Sequence, residues 1–375
     1  MPEQTLPNEI QMPKELQTPW RESDITKKLD RQKCRGWTPT SLISDFDNSY
    51  FSKETVSDTQ KLAGVASRHD IPVVIVTGND TARLIKKVKE NNLHKPDVII
   101  GAVGTEIYIL HTKPDGTYEY RKDAQFDTLL SEKKFDRKLY AQKTQETITE
   151  WQKNEMSPNH RWRFDFQNPE IERIFLSGTT ETDVQPYKLS FYAFAQDSDR
   201  DTLTHALQEQ FPEVNISLSE EIRYNEENKE SISNGAEKKF CIDMLPVVPK
   251  AYAVNYVTDL LGIQRGFNVG DSGNDILLLA NTTIGEGVIV GGAKPELHEQ
   301  VLAHRKKIGD TGFSRVFTGE GKPTRKKVYY NETTPSAAAG TIIEAAIQRL
   351  EIMKRFERNP SVKTDIAGII AELQQ

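Results

Sequence analysis

The stretch Ser41–Phe51, SLISDFDNSYF, decides the fold. Leu42 and Ile43 read as a β-strand running into the interior, and the strand ends in two aspartates one residue apart, Asp45 and Asp47. Two ionised carboxylates at the end of a buried strand repel each other and lose hydration. That costs energy unless a cation, a donor network or a shared proton compensates. The pair therefore requires a partner elsewhere in the chain.

Outward from this strand the pattern alternates. An amphipathic segment near Glu54 to His69 precedes the apolar run IPVVIVTG, a helical stretch from Thr81 to Asn91 follows, and then comes DVIIGAVG. Short continuous apolar runs separated by helices predict a parallel sheet covered on both faces. HTKPDGTYEYR reads as a hairpin around Asp115 and Gly116. From about Phe126 to Lys239 the texture changes to a charged helix, extended KLSFYAFA, helical DTLTHALQEQ and the strands NISLSEEIRY and KKFCIDMLP, which is an α+β pattern. After Pro249 the first pattern resumes, with a helix from Lys250, the strand GFNVG, the strand GEGVIVGG and helices beyond Pro295 and Pro335. The fold class expected is α/β, a doubly wound (Rossmann-like) parallel sheet interrupted once by an inserted α+β cap domain. The boundaries expected are 1–40 for a polar, Pro-punctuated N-terminal extension, 41–124 with 246–375 for the core, and 125–245 for the insert.

Composition narrows the function. The 375 residues carry a formal net charge of −6, without the basic excess of a nucleic-acid binder. The two cysteines, Cys34 and Cys241, match no metal or redox spacing and read as free thiols in a reducing compartment. The N-terminus has neither a basic start nor an apolar run, and no stretch is long enough to cross a bilayer, so a cytoplasmic enzyme is expected. His69, His94 and His160 lack metal-ligand pairing.

In open α/β sheets the ligand lies at the carboxyl ends of the strands. Three predicted strands end there in polar groups: ISDFD with Asp45 and Asp47, VIVTGN with Thr77, and FNVGDSGND with Asp271, Asn274 and Asp275. Carboxylates converging without histidines suit a hard, oxygen-loving cation, and Mg²⁺ is the natural choice. Thr77, the Gly78 backbone, Asn274 and Lys250 are placed to hold a phosphate.

Taken together, the DxDx[TS] strand end (Asp45, Asp47, Ser49), the Thr-Gly strand end (Thr77, Gly78), the lysine opening a helix (Lys250) and GDSGND (Gly270 to Asp275) resemble the four motifs of haloacid dehalogenase-type phosphotransferases. The insert falls between the second and third motifs, as in the branch with a C2-type cap (subfamily IIB). GAVGTEIY, CIDMLP and GVIVGGAKPEL resemble the sucrose-phosphate phosphatase group within that branch.

The resemblance, which covers roughly Ser41 to Leu350, implies a phosphoric monoester hydrolase. Asp45 would be the nucleophile that forms an aspartyl-phosphate, and Asp47 the acid and base, which needs its pKa raised by its neighbours. Asp45, the backbone carbonyl of Asp47 and Asp271 would ligate Mg²⁺, with Asp275 orienting the metal shell. Lys250 and Thr77 would spread charge on the phosphoryl oxygens, and Ser49 would hydrogen-bond within its loop. Lys188, the cation of VQPYKLSFY, lies in a segment resembling the sugar-contacting one. Asn79 stands where the group usually carries arginine, which removes a bidentate anion clamp from the substrate side, and Ala251 stands where a glycine usually follows the lysine. The substrate implied is sucrose 6-phosphate or a related osmolyte precursor, and the partner implied is the cognate sugar-phosphate synthase. A phosphosugar mutase, or an idle sugar-phosphate-binding partner of a synthase, are the alternative readings.

Overall fold

The structure, a computed structural model, describes residues 18–79, 81–165, 186–220, 238–246, 250–281, 286–291, 293, 295–307 and 338–375. They fall into two compact units, one formed by residues up to Phe126 and from Lys250 onward, the other by residues between Asp127 and Pro249.

The first unit is built on a seven-stranded sheet of order β11-β10-β1-β2-β3-β4-β5 among the described residues. Strand β1 (Thr40–Asp45) is central, pairing in parallel with β10 (Arg265–Gly270) on one side and β2 (Val73–Val76) on the other. β3 (Val98–Gly101) continues the parallel order beyond β2, and β11 (Glu286–Ile289) beyond β10. The β2 run VVIV and the β3 run VIIG are buried at every residue, so the sheet needs cover on both faces.

The sheet is not parallel throughout. β4 (Glu106–Thr112) runs antiparallel to β3, and β5 (Tyr118–Lys122) antiparallel to β4, so the Asp115–Gly116 hairpin is the edge of the same sheet. The cause is the length of the connection. Returning a strand in parallel takes about a dozen residues or more, and only residues 102–105 separate β3 from β4.

Residues 18–37 belong to this unit too, as helices α1 (Thr18–Arg21) and α2 (Asp24–Cys34), where the extension predicted no element. The buried face of α2 is Ile25, Lys28, Leu29 and Gln32, a regular helical stripe in which two members are polar. Lys28 pairs with buried Asp97 at 2.8 Å, and Gln32 bonds the backbone of Thr40 and Asp70. Trp20, fully buried, donates its indole N–H to Asp123, which also accepts from Tyr256.

α3 (Val56–Arg68), α4 (Thr81–Glu90) and the late helices α11 (Ala338–Phe356) and α12 (Pro360–Gln374) supply Leu62, Leu84, Ile342 and Ile366 to an apolar cluster with Leu42 and Ile75 of the sheet. α5 (Ala124–Ser131) carries the chain out of this unit, and α8 (Ala251–Leu261) brings it back. α9 (Ile276–Asn281) and α10 (Pro295–Lys307) pack on β11 through Leu279, Ile289 and Leu297.

The second unit is a four-stranded antiparallel sheet of β6 (Arg163–Asp165), β7 (Leu189–Ala195), β9 (Lys238–Leu245) and β8 (Asn215–Glu220), in that order. Leu189, Phe191, Phe240 and Ile242 turn one face toward Ile148 and Trp151 of α6 (Arg137–Lys153) and Leu203 and Leu207 of α7 (Arg200–Gln210). Side chains alternate along a strand, so Lys188, Ser190 and Asp243 occupy the other face. Most of the charged run SEEIRYNEENKESISNGAEKK, residues 219–239, lies outside the described residues.

Candidate active site

The polar strand ends meet at the carboxyl edge of the first unit's sheet. Parallel pairing of β1 with β10 sets Ser44 beside Val269, so the chain reaches Asp45 on one strand and Gly270–Asp271 on the other at the same level. Lys250 lies at the N-cap of α8, and its ammonium is 2.6 Å from Asp45 Oδ1 and 2.6 Å from Asp275 Oδ1, with Asn274 Oδ1 at 3.3 Å. For Asp45, the partner demanded by the opening strand is this cation. Lys250 takes an unusual left-handed backbone (φ 50°), held by its N–H bond to the carbonyl of Val103, itself at φ 60°. Lysine and a β-branched residue both resist that region, so the surrounding packing enforces it.

Asp275 is fully buried and is the best-satisfied carboxylate of the group. Its Oδ2 accepts from the backbone N–H groups of Asp271 and Ser272 and from the Ser272 hydroxyl, each at 3.2 Å. Gly270 makes room for it, because a Cβ there would lie 2.5 Å from the Asp275 Cβ. Ser49 donates to Asp271 at 3.3 Å, so its bond crosses between strand ends where one within its own loop was expected.

Carboxylate oxygens of Asp45, Asp271 and Asp275 lie within 4.8 Å of one another. Among the described residues, three carboxylates thus face one ammonium. Burial first, then the charges of Asp275 and Asp271, push the Asp45 carboxyl well above its ordinary range in spite of Lys250. Asp271 keeps some exposed surface but is closely surrounded by protein, and burial together with Asp275 pushes it up to about 7. Burial alone would lower the Lys250 ammonium, but Asp275 and Asp45 outweigh it and hold the group above its usual value. The cluster is short of positive charge, and its donors are all hard oxygens. This fits Mg²⁺ held by Asp45 and Asp271 with Asp275 behind them. When bound, the ion supplies Lewis-acid charge that lets an anionic nucleophile approach an anionic phosphate.

The other predicted residues form an adjoining group. Asp47, about half-buried, accepts from Asn79 Nδ2 at 2.6 Å and from Lys87 Nζ at 2.6 Å. Thr77, buried at the end of β2, accepts from the Asn79 backbone N–H at 3.1 Å, and Gly78 lies between them. Lys188 belongs to the second unit. It is buried, 3.3 Å from Asp243, which also accepts from Ser190 at 2.5 Å. Lys87, Ser190, Ser272 and Asp243 escaped the sequence reading. Ser272 sits inside the quoted GDSGND, but the helix LIKKVKE does not reveal which of its lysines turns toward Asp47.

An α/β core with this cluster at its strand ends and an inserted α+β unit defines a haloacid dehalogenase-type phosphatase with a C2 cap. The model of the sucrose-6F-phosphate phosphohydrolase family matches residues 38–177 and 141–317, and the chain belongs to that family. It is a phosphatase of the Mg²⁺-dependent sugar-phosphate type. Among solved structures, the sucrose-phosphatase from Synechocystis sp. PCC6803, in complex with sucrose and phosphate, is 23% identical over 83% of this chain and 98% of its own, with a TM-score of 0.50, and shares the fold. A haloacid dehalogenase-like hydrolase protein from Bacillus subtilis is 16% identical over 75% of this chain and 98% of its own, with a TM-score of 0.36. No curated protein matches the chain. Among the described residues no helix is long and apolar enough to cross a membrane.

Proposed function

We propose that the protein hydrolyses sucrose 6-phosphate to sucrose and inorganic phosphate through an aspartyl-phosphate on Asp45. The observation that carries the chemistry is the buried Lys250 ammonium, 2.6 Å from both Asp45 and Asp275 within the three-aspartate cluster. An Asp45 oxygen attacks phosphorus, the P–O bond to the sugar breaks, and the departing oxygen takes a proton from Asp47. Water then attacks the phosphorus of the aspartyl-phosphate while Asp47 takes its proton, and the Asp45 carboxylate and phosphate are released. Lys250, the Thr77 hydroxyl, the Gly78 N–H and the Asn274 amide supply donors to the phosphoryl oxygens, where charge accumulates in the transition state. Ser49 holds Asp271 in place.

The core motifs touch only the phosphoryl group and the leaving oxygen, which every phosphosugar shares. Selectivity is therefore assigned to the inserted unit, where Lys188, Ser190 and Asp243 form a polar set on the sheet face opposite the apolar core. Such a set rewards sugar hydroxyls and penalises analogues that lack them. The family to which the chain belongs supports sucrose 6-phosphate as the substrate. It makes the synthase that forms this ester the protein partner to seek by co-purification. Phosphate release with Mg²⁺ over a panel of phosphosugars tests the reading. Sucrose 6-phosphate is expected to give the highest kcat/KM, with Asp45→Asn folded and inert. A different preferred sugar overturns the substrate assignment, and an active Asp45→Asn overturns the nucleophile. Lys188→Ala is expected to lower kcat/KM for sucrose 6-phosphate by about tenfold or more, with little change on p-nitrophenyl phosphate. Equal losses on both remove Lys188 from sugar recognition.

A further inference from the structure

We propose that Lys87, which no motif contains, is a positioning residue that aims the carboxylate of Asp47 at the leaving oxygen. The proposal rests on the acid role given to Asp47 above. The backbone around Asp47 is already rigid. Tyr50 N–H bonds the Asp45 carbonyl at 3.1 Å, Phe51 N–H the Phe46 carbonyl at 2.9 Å, and Asn48 N–H the Phe51 carbonyl at 2.9 Å. Beneath this turn the buried rings of Phe46 and Phe51 stack with centroids 5.4 Å apart. What the backbone leaves undetermined is the rotation of the Asp47 side chain.

Two donors from two different elements settle it. Lys87, on α4, binds Oδ1, and Asn79, after β2, binds Oδ2, both at 2.6 Å. With each oxygen held from a separate direction, the carboxylate cannot turn without breaking a charged or a short neutral bond. Asn79 is itself braced, its backbone N–H on Thr77 Oγ1 at 3.1 Å and its Oδ1 accepting from Arg83 at 3.4 Å. The Lys87 ammonium lies 5.8 Å from the centroid of the Phe46 ring, over the turn that carries Asp47.

The pair is a poor stability device. The Lys87 and Asp47 side chains are 33% and 40% exposed, and ion pairs that accessible contribute little to folding. Aim is worth far more to catalysis. A displacement of about 1 Å in a catalytic group can cost about a hundredfold in rate.

The test uses the full-length, Mg²⁺-loaded enzyme and a series of substituted phenyl phosphates whose leaving groups span a range of pKa, so it does not depend on which sugar is natural. Wild type, with an aimed acid, should show a shallow dependence of kcat/KM on leaving-group pKa. Asp47→Asn should show a steep one. Lys87→Met is expected to steepen it as well, losing about 10- to 100-fold on the poorest leaving group while p-nitrophenyl phosphate changes little. Its melting temperature should stay within about 3 °C of wild type. Lys87→Arg, which keeps a donor in reach, should restore the shallow slope, and Asp47→Asn/Lys87→Met should be no worse than Asp47→Asn alone. A Lys87→Met loss that is equal across the series, or that adds fully to Asp47→Asn, overturns the proposal. So does a rise in KM alone, which would make Lys87 a substrate contact. A shallow slope in Asp47→Asn removes the acid role itself, and the proposal falls with it. A steep slope there with an unchanged one in Lys87→Met refutes the positioning role alone.

Discussion

Replacing Lys250 by methionine keeps the side-chain volume and deletes the ammonium that bonds Asp45 and Asp275. Lys250 is 1% exposed and bonds both carboxylates at 2.6 Å, so the variant leaves buried charges without their partner. Breaking a buried pair in this way costs about 3–5 kcal/mol. Lys250 is held above its usual value in the folded state, so its contribution is present in full at any pH below its unfolded value, near 10.5. Across the neutral range the pH dependence therefore comes from the carboxylates. With the ammonium gone, folded Asp45, already pushed up by burial and by its carboxylate neighbours, binds its proton more tightly than in the unfolded chain, so the folded state holds more protons and stability falls as pH rises. The deficit of Lys250→Met should widen from pH 5 to pH 8 in EDTA and shrink when Mg²⁺ is added. Native-state hydrogen exchange of the β1 and β10 amides reads this locally, and phosphate release should fall by about 10²–10³-fold, the usual cost of one transition-state charge donor. A deficit below about 1 kcal/mol that is the same at both pH values would refute the reasoning, since it would mean that the carboxylates do not depend on the cation.

Two further outcomes follow from the same structure. In the metal-free enzyme Asp271 is half-protonated near its raised value of about 7, so Mg²⁺ binding should release protons at pH 7 and weaken as pH falls below it. Titration calorimetry in two buffers of different ionisation enthalpy measures the release, and none at pH 7 would contradict the crowded-carboxylate picture. Trp20→Ala removes a fully buried indole and one donor to Asp123, and should cost about 3–5 kcal/mol in chemical denaturation. A loss under about 1 kcal/mol would show that residues 18–37 merely lie on the core.

The alternation of apolar runs with amphipathic segments, and the carboxylates and Thr-Gly at the ends of those runs, are local properties. Asp45, Thr77, Asp271 and Asp275 could therefore be placed at one sheet edge from the residues alone, because a doubly wound sheet brings strand ends together whatever their separation in the chain. The break in texture near residue 126 is visible for the same reason. Which groups bond across that edge is a different kind of fact. Lys250 lies 205 residues from Asp45 and Lys87 lies 40 from Asp47, and nothing local tells a lysine that reaches a carboxylate from one that faces water. Helix α2 was hidden because Lys28 and Gln32 occupy two positions of its buried stripe, and a polar residue reads as exposed until its partner is known. Asp97, 69 residues on from Lys28, is that partner. The edge hairpin's direction depended on a connection too short for a crossover, and Ser190 and Asp243 became neighbours only through the register of β7 against β9. Periodicity is set by each residue's own side chain and position, whereas satisfying a buried charge takes two residues that only the folded chain brings within reach.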